Sequence, residues 1–238
     1  MANEIKKTER RLKLFSELVG ETWASYKKYF WPLISLSVIP ALLTAVASLV
    51  MPVQTPAQTT WMEVFATDAL YLVVAMLAVP FALGIYHYLD EIHQGKTVAV
   101  GQAVKFGFSR AVHGWLLSIY VGVIVAAGFI LLIVPGFIFL TWFIFMPIVL
   151  AVEKNGLKSA ELSKKLTAGY RNQIFLRVFL GALLLVFLTI LAAAIGAFLF
   201  PAQASQQVYS AIISLLATPL SIVFTYQLYR SVLETKQK

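Results

Sequence analysis

The groups from which a metal centre or an acid–base pair would be built are few in this chain. His87 and His93 have the carboxylates of Asp90 and Glu91 beside them, and His113 follows at a distance. Imidazole and carboxylate are the usual ligands and proton carriers of hydrolytic sites. The three histidines do not have metal-ligand spacing, so this cluster reads as a solvated loop, and neither a metal nor another cofactor is expected. Glu153 is the other acid of interest. It ends an apolar stretch and faces a segment carrying Lys158, Lys164, Lys165 and Arg171; an exposed pair with one of them contributes only about 0–1 kcal/mol. The chain has no cysteine, which removes disulfides, thiolate metal sites and cysteine nucleophiles together. No glycine-rich phosphate loop follows a strand, and no serine has a nucleophile-elbow context. No catalytic residue is assigned. An integral-membrane lipid enzyme would have only Glu153 and the His87, Asp90, Glu91 and His93 cluster to work with.

What must hold these residues is a set of apolar helices. Of the 238 residues, 60% are hydrophobic and 13% charged, far outside the soluble range. The apolar residues fall in runs long enough to cross a hydrocarbon core, which takes roughly 20 residues of helix. Spans are expected at 31–51, 69–89, 115–134, 137–152, 174–200 and 208–229. The uncharged stretch 115–152 is too long for one crossing, and Pro135-Gly136 supplies a chain break within it. The fourth span is then short, so its ends should extend into the interface or the segment should tilt. Residues 1–30 are charged rather than apolar, so no cleavable signal is expected.

Charge sets the orientation. All 19 lysines and arginines fall before the first span, between the second and third, between or flanking the fourth and fifth, or after the sixth. The alternate connections hold only Glu63 and Asp68. This is the positive-inside pattern, and it places both termini in the cytoplasm. A pI near 9.6 also suits nucleic-acid binding, but here the cations are spread over four segments at membrane boundaries, so no nucleic-acid partner is expected. No ionisable residue lies in the middle of a span, which argues against a carboxylate proton relay. Arg177 and Glu153 are near enough to span ends to extend toward headgroups.

Each pair of spans is preceded by an amphipathic segment. In residues 1–30, Ile5, Leu12, Phe15, Val19 and Tyr26 recur at helical spacing. In 97–113, Val100, Val104, Phe108 and Ala111 oppose Gln102, Lys105, Ser109 and His113. In 157–172, Leu162, Leu166, Gly169 and Tyr170 oppose Lys158, Glu161, Lys165 and Asn172. The expected fold is an all-α integral membrane domain of six transmembrane helices. They form three hairpins (31–89, 115–152, 174–229), each preceded by a cytoplasmic interfacial amphipathic helix, with a tail at 230–238. Lys27, Lys28, Lys105, Arg110, Lys158, Lys164, Lys165 and Arg171 are the expected contacts to anionic headgroups. Small and hydroxyl residues in the spans, such as Ser35, Ser37, Thr44, Ser48, Gly122, Gly128, Gly181, Gly196, Ser214, Thr218, Ser221 and Thr225, predict close helix packing and interhelical hydrogen bonds. Pro40, Pro80, Pro147 and Pro219 are candidate kinks.

The segment Pro135-Gly136-Phe137-Ile138-Phe139-Leu140, followed by Met146-Pro147 and the run to Glu153, resembles the YciC-like family, which is related to the membrane domain attached to some glycerophosphodiester phosphodiesterases. Ala160, Ser163, Leu166 and Gly169 stand where the family pattern has alanine, serine, leucine and glycine; Thr141 stands near a position where members often carry arginine. The resemblance implies a six-helix bacterial inner-membrane protein in which Pro135, Gly136, Pro147, Glu153, Ala160, Ser163, Leu166 and Gly169 form a structural motif. It implies no activity, because the phosphodiesterase of fused relatives is a separate domain.

These readings together predict a non-enzymatic protein that organises or regulates its surroundings through membrane lipids, a membrane-protein partner or a second copy of itself. The alternative is a transporter or channel for a lipid or neutral amphiphile.

Overall fold

The computed structural model describes residues 12–50, 60–153, 156–199 and 203–237, and these are helical throughout apart from short links. Among them, six helices are long and apolar enough to cross a membrane: Phe30–Ser48, Trp61–His93, Ala111–Leu131, Val134–Val152, Arg171–Leu199 and Ala211–Gln237. The helices in chain order are α1 (Phe15–Lys28), α2 (Phe30–Val50), α3 (Trp61–His93), α4 (Val100–Ser109), α5 (Ala111–Leu131), α6 (Ile133–Phe143), α7 (Met146–Val152), a 3-10 turn (Gly156–Lys158), α8 (Ser159–Thr167), α9 (Arg171–Leu199) and α10 (Gln203–Gln237). The three short amphipathic helices α1, α4 and α8 precede the three long pairs, as expected.

No residue in the most apolar 18-residue stretch of α9 is buried, and only 17% and 22% of the corresponding stretches of α5 and α2 are. Helices this apolar with so little protein cover need hydrocarbon as their solvent. This is a multi-pass helical membrane protein. The interior lies instead where the charged residues gather: Leu83, Ile85 and Leu89 of α3, Ile148 to Ala151 of α7, and Val223, Leu228, Tyr229 and Val232 of α10 are all buried. At 33 and 35 residues, α3 and α10 are about 50 Å long, roughly 20 Å more than a hydrocarbon core requires. Helices α1, α2 and α3 pack against α10, while α4 and α7 pack against α3 and α8 against α7.

Local signals explain the helix starts. Thr60 and Glu63 form a capping box, with Glu63 Oε2 accepting from the Thr60 amide at 2.9 Å and Thr60 Oγ1 from the Glu63 amide at 3.4 Å. Glu17 and Gln102 accept in the same way from the amides of Leu14 and Ala99. Glu17 in the first turn of α1, and Lys27 and Lys28 in its last, also complement the helix dipole.

Several boundaries differ from the expectation. The capping box starts α3 at Trp61, so Glu63 and Asp68 lie on a helix rather than in a connection. Helix α10 runs to Gln237, so the tail expected at 230–238 is helical as far as it is described. Pro135-Gly136 is not the turn. The chain breaks at Leu132, which is extended (φ −163°, ψ 149°), and Pro135 lies in the first turn of α6, where a missing amide N–H leaves no helical bond unmade. Gly136 does serve close approach, since a Cβ there would sit 2.5 Å from the Phe129 ring; a Cβ on Gly128 would meet Gly136 Cα at 3.0 Å.

The fourth apolar stretch is short because it is broken at Ile144–Phe145, and Pro147 sits at the start of α7. Met146, Ile148, Val149, Leu150 and Ala151 of α7 are enclosed by protein rather than lipid. The hydroxyls of Ser35, Thr44, Ser48 and Ser221 bond carbonyls three or four residues back on their own helices, not across helices as expected, whereas Thr225 bonds the Ser221 carbonyl and also meets Tyr86 of α3 across the helices, as expected. Most of the span glycines do pack closely: a Cβ on Gly181 would meet the Phe224 ring at 2.7 Å, and one on Gly196 would overlap Tyr209, whereas one on Gly122 would meet nothing within 4 Å. Of the expected apolar positions on the first amphipathic segment, Ile5 lies outside the described residues. Leu12 precedes α1, and Leu18, Thr22 and Tyr26 form the buried face.

Candidate functional site

The basic link after α7 does not hang from the end of the fourth apolar stretch. It folds back over α6, because α8 presents a face of small and hydroxyl residues (Ser159, Ala160, Ser163 and Thr167, with Leu166), all buried. Small side chains let α8 approach closely enough for Ser163 Oγ to donate to the Trp142 carbonyl at 2.8 Å. Gly169, exposed and at φ +87°, then makes the turn into α9, a conformation only glycine adopts without strain. Ala160, Ser163 and Leu166 thus share one buried face, whereas Gly169 is a hinge outside it.

This fold-back brings two cations onto one ring. Lys164 Nζ lies 4.3 Å and Arg171 Cζ 4.7 Å from the centroid of Trp142. Among the described residues no carboxylate pairs with either cation. Arg171 Nε and Trp142 Nε1 are buried there without a hydrogen-bond acceptor. Arg171 also lines a cavity of about 530 Å³ between α6 and the first turn of α9.

The other expected headgroup contacts are divided. Lys27 lies over Trp23 at 5.6 Å, Lys28 over Tyr29 at 5.1 Å and Arg110 over Phe106 at 6.0 Å. Lys105 and Lys158 are exposed. Lys165 pairs with Glu161 at 2.7 Å, and the hydrogen bond and charge of Lys165 hold the Glu161 carboxyl below its usual range. Arg177 is not extended toward headgroups. Its Nε and Nη2 donate to the carbonyls of Lys13 and Leu12 at 2.8 and 2.9 Å, tying the segment before α1 to α9.

The acids and histidines are on helices rather than in a solvated loop. Asp90, 6% exposed on α3, accepts from Tyr226 Oη at 3.1 Å and from Gln94 Nε2 at 2.6 Å. Glu91 pairs with Lys96 at 2.8 Å. His87 stacks on Phe106 at 3.8 Å, and His113 approaches Gly156. Glu153 accepts from Tyr229 Oη at 3.3 Å, so α10 holds it. Lys13 bridges Glu21 and Glu234 at 2.8 and 3.3 Å. Burial opposes the Lys13 charge, but the hydrogen bond and charge of Glu21, with the charge of Glu234, outweigh it and raise its pKa. No group of three or more metal-ligating side chains occurs among the described residues. These contacts fasten the charged ends of α1, α3, α7 and α10 together.

Comparison with family models, curated proteins and solved structures finds no match for this chain. Function must be argued from its own geometry.

A second crevice, of about 320 Å³, lies between α1, α9 and α10 and is walled by residues such as Leu188 and Phe224. Its few hydroxyls are those of Thr22, Ser221 and Thr225; Thr22 Oγ1 is buried and makes no hydrogen bond.

Sequence reasoning missed Trp142, Tyr226 and the buried role of Asp90. The available signals were an acid one turn from the end of an apolar stretch and the Tyr226, Tyr229 and Arg230 spacing, which puts three polar tips on one face of α10.

Proposed function

We propose that this chain is a non-enzymatic, multi-pass protein of the bacterial inner (plasma) membrane that organises or regulates its surroundings through anionic lipid headgroups. Its basic end and both termini face the cytoplasm. The observation that carries this reading is the pairing of cations with aromatic rings in place of carboxylates: Lys164 and Arg171 on Trp142, Lys27 on Trp23 and Lys28 on Tyr29. Tryptophan and tyrosine favour the membrane–water boundary, and a cation held there by a ring keeps its charge available to lipid phosphate. The bacterial setting rests on the YciC-like resemblance of the segment around Pro135-Gly136 and Met146-Pro147. A membrane-protein partner or a second copy is a further contact this reading accommodates.

Lipid retention tests it. Purified from a bilayer containing phosphatidylglycerol and phosphatidylethanolamine, the wild-type protein should retain phosphatidylglycerol in excess of its bulk share. Neutralising Lys158, Lys164, Lys165 and Arg171 together should abolish the excess. An unchanged excess would remove the lipid-contact reading.

The second reading, passage of a lipid or neutral amphiphile, draws on the apolar crevice with the Thr22, Ser221 and Thr225 hydroxyls. Reconstituted protein giving neither lipid scrambling nor solute flux over a broad panel would exclude it.

A further inference from the structure

We infer that the cavity between α6 and the start of α9 is a binding site for one anionic glycerophospholipid, its phosphodiester at Arg171 and Lys164 and one acyl chain along α6. This deepens the headgroup reading above and rests on it. The cavity has two chemically different halves. Val134, Phe137, Ile138 and Phe175 make an apolar wall, while Thr141, Arg171 and Asn172 supply the polar end. Positions 134, 137, 138 and 141 form one face of α6 at helical spacing, so the wall is continuous over two turns. Its volume of about 530 Å³ falls within the range of small-molecule sites.

At the polar end no carboxylate pairs with Arg171 among the described residues. Arg171 Nε and the Trp142 indole N–H are both buried without a hydrogen-bond partner, and Lys164 shares the Trp142 ring with Arg171. A buried donor left unpaired is costly; Arg171 on the lining, with the Trp142 N–H and Lys164 beside the cavity rather than on its wall, matches a ligand that only accepts hydrogen bonds and carries negative charge. A phosphodiester meets that description. The apolar wall selects a lipid over a free anion, and the rest of the chain, with its lipid-solvated helices, supplies the surroundings in which such a lipid is always present. Thr141 cannot serve as a donor to the ligand while its hydroxyl remains bonded to the Phe137 carbonyl at 2.8 Å, which leaves the headgroup to Arg171, Lys164 and the Trp142 N–H, with the Asn172 amide also on the lining.

Native mass spectrometry of the full chain, titrated in detergent with phosphatidylglycerol or phosphatidylcholine, reads the site directly. The wild type should hold one phosphatidylglycerol more tightly than later ones. Lys164→Gln with Arg171→Gln should weaken that first lipid about tenfold or more, the expected effect of losing two charge-assisted contacts. Lys96→Gln with Lys236→Gln, which removes equal charge elsewhere at the basic end, should leave it within about twofold. Ile138→Trp keeps every charge and fills the apolar half, so it should also displace the first lipid; it carries the test alone if the double variant does not fold. Inorganic phosphate at millimolar concentration should not compete.

Equal weakening by the two charge pairs would overturn the site and leave the general headgroup reading standing. Loss of all preference for phosphatidylglycerol in the wild type would overturn both. Displacement by inorganic phosphate, or tight first-lipid binding surviving in Ile138→Trp, would overturn the assignment of a lipid with its chain along α6.

Discussion

Asp90 shows how a membrane protein keeps a carboxylate away from water. It sits near the end of α3, 6% exposed, with Tyr226 and Gln94 supplying its hydrogen bonds and with His93 and Arg230 in the same charged neighbourhood. A buried charge holds its place only while its partners do, because losing one donor exposes the full desolvation penalty. Tyr226→Phe removes one donor and almost no volume, so it should destabilise the protein by about 1–3 kcal/mol. Asp90→Asn combined with it should cost less than the sum of the two single changes, as expected for groups in direct contact. Denaturant unfolding in mixed micelles would measure this. Additive losses would show that the two side chains do not interact. The acid itself was visible in the sequence, yet its burial was not: Asp90 lies among Glu91, His93 and Lys96, a polar run that reads as solvated until α10 is laid beside it.

At the level of elements, small residues decide which faces meet. Helix α4 buries Ala103 and Gly107, not Phe108, which is 49% exposed. In water the most apolar side chains of a short helix would turn inward, and on that rule Val100, Val104 and Phe108 form the buried face. Beside a bilayer, acyl chains solvate large apolar groups equally well, and the protein contact falls to residues that let backbones approach. A Cβ at Gly84 would lie 2.8 Å from the Ala103 carbonyl oxygen, and one at Gly107 would overlap the Pro80 carbonyl. Gly107→Ala should therefore separate α3 from α4 at a cost of about 1–3 kcal/mol. Gly101→Ala meets nothing within 4 Å and, through helix propensity alone, should be neutral or stabilising by up to about 1 kcal/mol. Unfolding midpoints for the two variants should move apart; if they move together, the seam does not hold these helices. The existence of α1, α4 and α8 was legible from their charge and spacing. Their inward faces were legible in part: Tyr26 and Leu166 are buried and Val100, Val104 and Leu162 pack against the core as their spacing predicts, but the close approach of Ala103 and Gly107 was not legible, because hydrophobicity ranks side chains for burial in water and these helices stand beside lipid.

On the scale of the molecule, the interior and the basic residues occupy the same end. The long helices cross the apolar region with little protein cover, then α3 and α10 continue as a scaffold on which α1, α4, α7 and α8 assemble. The number of spans was legible because uncharged runs of spanning length have no other stable solvent. The break in the fourth stretch was signalled by Pro147, but the enclosure of α7 was not, since α7 is as apolar as any span and only its burial by neighbouring helices distinguishes it. This asymmetry makes the headgroup contacts depend on orientation. If lysine and arginine remain on the cytoplasmic side, as they do when spans insert, then the whole packed end and every headgroup contact belong to the inner leaflet. Because the chain has no cysteine, single substitutions report cleanly. Ser16, Leu157 and Met62 are all exposed, the first two among the basic segments and the third at the opposite end of α3. In intact cells a membrane-impermeant thiol reagent should modify Met62→Cys and spare Ser16→Cys and Leu157→Cys, which should become reactive once the membrane is opened. The reverse pattern would put the cationic end outside, where the cytoplasmic leaflet's surface potential no longer acts on it, and would remove the electrostatic basis for the headgroup contacts.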